Sequence, residues 1–189
     1  MDKWTTQIEE VTEKFQKSFS HLSENELNWK PSPETWSIAE NITHLIEVNS
    51  SYFAGFNALS RGNYKLPFIA RFGFVVNFFG NMILKSVQPD RKNKMKTFPM
   101  WKPAEGSSYQ NILERFSDHQ SALKKEIAQV LDKTRENAVI SSPANKNIVY
   151  RLGTAFDIIV AHEFRHYEQA REVLKLIEKS PGTSQGLNN

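Results

Sequence analysis

The chain has 189 residues, 24 Lys+Arg against 21 Asp+Glu for a formal charge of +3, and 39% hydrophobic residues, enough to build one sizeable core and too apolar for a disordered chain. It has no cysteine, which excludes disulfides, thiolate zinc sites, iron–sulfur ligation and a cysteine nucleophile, so chemistry falls to His, carboxylates and hydroxyls, and a reducing, cytoplasmic setting is expected. The slight positive charge is far from the dense basic stripe of a nucleic-acid binder, and no nucleic-acid partner is expected.

Met1-Asp2-Lys3-Trp4 turns polar at once, so a secretory leader is not expected. Trp4, Ile8, Val11, Phe15, Phe19 and Leu22 then recur at steps of three and four, which predicts an amphipathic helix. Residues 23–36 hold Pro31 and Pro33 and are expected to be a linker. Ser37-Ile38-Ala39-Glu40 reads as a capping box opening a second helix, with the stripe Ile38, Ile42, Leu45, Ile46, Tyr52, Phe53, Phe56 and Leu59 and an end at Arg61-Gly62.

Residues 63–105 form an insertion between the second and third helices. Its uncharged run Phe72–Leu84 is 13 residues long, short of the ~20 needed to span a bilayer. It predicts a buried or subunit-contacting helix, with a membrane-surface helix as the alternative, and its apolar face points to a homodimer. The basic run Arg91–Lys96 reads as a solvated loop.

A third helix is expected from Ser107 or Ser108, with the stripe Ile112, Phe116, Leu123, Ile127 and Val130, and His119 on the same side. Residues 137–153 look polar and β-prone but offer no convincing strand edge, and Thr154 and Asp157 open a fourth helix running to about Glu178. The Gly/Ser/Asn-rich residues 180–189 are expected to be disordered. The sum is an all-α four-helix bundle with an extra helical insertion, one domain over residues 1–179.

Of five histidines, two stand as His162-Glu163-Phe164-Arg165-His166 within the fourth helix. Four-residue spacing puts both imidazoles on one face. At about 100° per residue, with His162 at 0°, His166 falls near 40° and Gln169 near −20°, amid Ala155, Ile158, Ile159 and Val173. Two buried imidazoles need partners, and a divalent metal or a hydrogen-bond network with Gln169 and hydroxyls would supply them. A third ligand must come from elsewhere. His44 lies beside the second helix's apolar stripe, in line with the mostly small Val48, Ser51 and Gly55, and His119 is the competing ligand or outer-sphere group. The H-E-x-x-H spacing invites a metallopeptidase with Glu163 as base, but no G-x-x-H continuation follows and Glu163 lies toward the flank of the stripe.

The opening helix, Leu27-Asn28-Trp29-Lys30-Pro31, Trp36-Ser37-Ile38 leading to His44-Leu45, Phe98-Pro99 with Pro103, and His162/His166 followed by Gln169 together resemble the DinB/YfiT-like superfamily of metal-binding four-helix bundles. The resemblance covers most of the chain and implies that His44, His162 and His166 bind a divalent metal, zinc or nickel. It further implies an enzyme acting on a small molecule, a thiol S-transferase using a low-molecular-weight thiol or a hydrolase. Gln169 would then orient a ligand or water, and Glu163 or His119 would carry protons. The alternative is a non-catalytic, metal-stabilised interaction module. Residues 63–105 depart from the family pattern.

Overall fold

The structure is a computed structural model describing residues 2–90, 97–104 and 106–179; the expected basic loop at 91–96 and the expected disordered tail at 180–189 lie outside the described residues. Its helices are α1 (Lys3–Phe19), α2 (Glu24–Asn28), α3 (Ile38–Ser50), α4 (Phe53–Ser60), α5 (Gly73–Ser86), α6 (Ile112–Ala128) and α7 (Leu152–Lys179), with one hairpin, β1 (Val139–Ser142) and β2 (Asn145–Arg151). The expected all-α four-helix bundle is present, built from α1, α3, α6 and α7. Helix α3 packs against α6 and α7, and α1 packs against the same two. Long amphipathic helices bury their stripes this way: Ile8, Val11, Phe15 and Phe19 of α1 are all fully buried.

Local chemistry sets the helix ends. Asp2 caps α1 by accepting from Trp4 and Thr5, and Ser37 and Glu40 form the expected capping box of α3. Ser23 and Glu26 form a second box that opens α2, a helix inside the segment expected to be a linker. The expected second helix is two helices, because the Ser51 hydroxyl turns back onto the Val48 carbonyl and Tyr52 N–H bonds Asn49. The third helix starts later than Ser108. Asn28 pairs with both backbone groups of Tyr109, and Glu24 accepts from Asn111 N–H. That holds 109–111 outside the helix, with Asn111 left-handed at φ 51°.

The β-prone connection is a two-stranded antiparallel hairpin, which the sequence reading did not resolve as strands. Ile140 and Tyr150 pair across it and enter the core around Phe56, Leu123 and Phe156. The insertion is helical as expected: α5 lies on β2 and α7. Gly80 permits this approach, since a Cβ there would lie 3.1 Å from Thr154 Cγ2 and 3.3 Å from Tyr150 Cβ.

Candidate metal centre

His44 stands two turns into α3, and His162 and His166 stand one turn apart on α7, so the α3–α7 contact brings all three together. Their candidate ligand atoms lie within 4.8 Å of one another. His162 Nε2 is 3.4 Å from His44 Nε2 and 3.0 Å from His166 Nε2. Three nitrogens bound tetrahedrally at about 2.05 Å would stand roughly 3.3 Å apart. Both His162 distances lie close to that value, so the three imidazoles would fit a divalent ion.

The outer nitrogens establish which way the lone pairs point. His44 Nδ1 lies 2.8 Å from the Trp101 carbonyl, which can only accept, so His44 donates there. His166 Nδ1 lies 2.8 Å from Asn41 Oδ1. The Asn41 amide nitrogen is committed to the Ser37 carbonyl at 2.8 Å, so this contact too is a donation from His166. Neutral His44 and His166 consequently turn Nε2 lone pairs toward His162. An N–H on His162 Nε2 could satisfy one of them; a cation satisfies all three.

Protonation is a poor alternative. Burial pushes the pKa of His44 down, and those of His162 and His166 well down, with the neighbouring histidines and Arg165 lowering the latter two further. Neutral imidazole is the metal-binding form. Trp36 roofs the cluster, its ring 4.9 Å from His44 and stacked 5.8 Å from His166. His44 and His166 are buried while His162 is partly exposed, which gives the cluster one open side.

Of the two third-ligand candidates, the structure brings His44 to the pair, not His119. His119 is buried, its ring stacked 5.6 Å from Phe53, with Ser50 Oγ 3.5 Å from Nδ1 and no partner on Nε2 among the described residues. Burial takes its pKa down to about 4. Glu163 is fully buried and serves the bundle: its carboxylate accepts from Asn49 Nδ2 at 2.7 Å and Gln120 Nε2 at 3.0 Å. Burial raises its pKa to about 8 against the pull of these hydrogen bonds. Gln169 is partly exposed, and among the described residues none of Glu163, Gln169 and His119 hydrogen-bonds to the three clustered histidines. The sequence reading missed Asn41 and the Trp101 carbonyl. Asn41 had a signal, one turn before His44 on the same helix; Trp101 had none.

A sequence model described as DinB superfamily matches residues 7–170. Among solved structures, YfiT from Bacillus subtilis, described as a probable metal-dependent hydrolase with an unusual four-helix bundle topology, aligns with a TM-score of 0.60 and 15% sequence identity over 95% of this chain and 88% of its own. At that identity the likeness is one of fold. No curated protein matches the chain.

Proposed function

The chain belongs to the DinB superfamily, and from that premise we propose that it is a divalent-metal-dependent enzyme acting on a small molecule, with His44, His162 and His166 as ligands. The observation that carries the reading is the convergence of three Nε2 atoms, two of whose rings are held from behind by Trp101 and Asn41. Zinc and nickel suit an all-imidazole donor set. Such an ion supplies Lewis acidity, making a water or a thiol nucleophilic near neutral pH.

The chain's own residues do the rest. The Trp101 carbonyl and Asn41 orient two imidazoles, and the Trp36 ring shields their flank from water. Gln169 lies seven residues after His162, on the same face of α7, and would reach a substrate at the open side. Glu163 fastens α7 to α3 and α6 and so positions His162 without touching substrate. The likeness to a protein described as a probable metal-dependent hydrolase gives hydrolysis the first assay and thiol transfer the second. One domain over residues 1–179 and a cytoplasmic location complete the reading.

Elemental analysis of the untagged protein tests it. Near-stoichiometric zinc or nickel in the wild type, lost in His44→Ala and His166→Ala, is the expected result. Full occupancy in His44→Ala, or none in the wild type after reconstitution, would overturn the assignment.

A further inference from the structure

The insertion carries an apolar surface that the metal cluster does not use. Phe74, Phe78 and Met82 follow one another at steps of four along α5 and are 75%, 61% and 43% exposed. The opposite side of the helix is seated through the buried Val76, Gly80 and Ser86, with Gly80 against Thr154 and Tyr150, so the exposed face cannot roll inward. Just before α5, the 3-10 turn Phe68–Arg71 and the residue that follows it add the exposed Phe68 and Phe72, whose rings meet at 5.6 Å. A depression lined by Leu66, Pro67, Phe68, Ala70 and Arg71 lies at this end. The Arg71 guanidinium covers the Phe68 ring at 5.2 Å.

Charge is concentrated in the same segment. Residues 61–102 contain nine Lys and Arg and one acid, Asp90, for 9 − 1 = +8; the whole chain is +3, so the remainder is 3 − 8 = −5. An exposed row of apolar side chains within a basic segment of an otherwise acidic chain fits an interface that is apolar inside and anionic at its surface.

We propose that this face, Leu66–Arg71 with the Phe74/Phe78/Met82 row of α5, binds the surface of an anionic lipid bilayer. The phenylalanines enter the headgroup–acyl boundary while Lys65 and Arg71 meet the lipid phosphates, their aliphatic stems lying along the apolar surface. No helix among the described residues is long and apolar enough to cross a membrane, so the contact is superficial. The homodimer expected from the sequence would use the same face. A two-fold interface there would bring Lys65 and Arg71 of both copies together, which favours an anionic partner over a second copy.

Flotation of the full chain with vesicles of phosphatidylcholine alone, or of equal parts phosphatidylcholine and phosphatidylglycerol, reads the contact. The wild type should float with the anionic vesicles and bind phosphatidylcholine about tenfold more weakly or worse. Phe74→Ser/Phe78→Ser alters only exposed side chains, so its helical circular dichroism should be unchanged while anionic-vesicle binding falls about tenfold or more. Lys65→Glu/Arg71→Glu should fall similarly. His44→Ala should float as the wild type does, which separates this contact from the metal reading. Failure to float with either vesicle overturns the proposal, as does undiminished binding by the Phe double variant. So does light scattering that finds a dimer dissociated by that variant without vesicle binding.

Discussion

Asn41 shows how one residue turns a fold contact into part of a candidate metal centre. Its amide nitrogen is held by the Ser37 carbonyl at the start of α3, which leaves its oxygen to receive the His166 N–H. Asn41→Ala should leave the fold intact and lower zinc affinity by about 10–100-fold, measured by competition with a chromophoric chelator. Glu163 offers a separate test through stability. Its pKa is raised from 4.5 to about 8 in the folded chain, so the folded state keeps a proton that the unfolded state releases. The stability this confers is full below the unfolded value and is lost as pH rises through the folded one. Glu163→Gln stays neutral, and its amide N–H can use the Asn49 or Gln120 oxygen, both without a partner among the described residues. In metal-free urea unfolding, the stability of the wild type relative to this variant should fall between pH about 5 and about 8 by an amount of order a few kcal/mol, a difference in which the histidines common to both cancel. His119 works in the opposite sense: with its pKa depressed to about 4, its contribution is full above 6.5 and is lost as pH falls toward 4.

Among the elements, α5 depends on one close approach. Gly80 lets the helix sit on Tyr150 and Thr154, and a side chain with branched carbons has nowhere to go. Gly80→Leu should destabilise the protein by about 1–3 kcal/mol in urea unfolding through overpacking. The helices themselves were legible because a periodic stripe and a capping box are properties of neighbouring residues: Ser37 with Glu40 marked the start of α3 to the residue. The late start of α6 was not legible, since it rests on Asn28 and Glu24, more than eighty positions away in the chain. The hairpin was equally obscure. Its Ile140 and Tyr150 are buried by α5 and the bundle core, not by a pattern in their own segment.

For the whole molecule, a metal bound as proposed would clamp α3 to α7, two elements far apart in sequence, and an ion bound only by the folded state stabilises that state. Excess chelator should lower the Tm of the metal-loaded wild type by roughly 5–10 °C and leave His44→Ala unmoved, as read by circular dichroism. The sequence by itself determined the helical periods, the caps of α3 and the one-turn spacing of His162 and His166, because each is decided within a few residues by backbone geometry. Only the tertiary structure decided that His44 and not His119 completes the cluster, that Glu163 turns into the bundle, and that a carbonyl of the insertion holds His44. Those contacts join residues 57 to 125 positions apart. They exist because burying the helical stripes sets α3 against α7, and no local pattern specifies which side chains then meet.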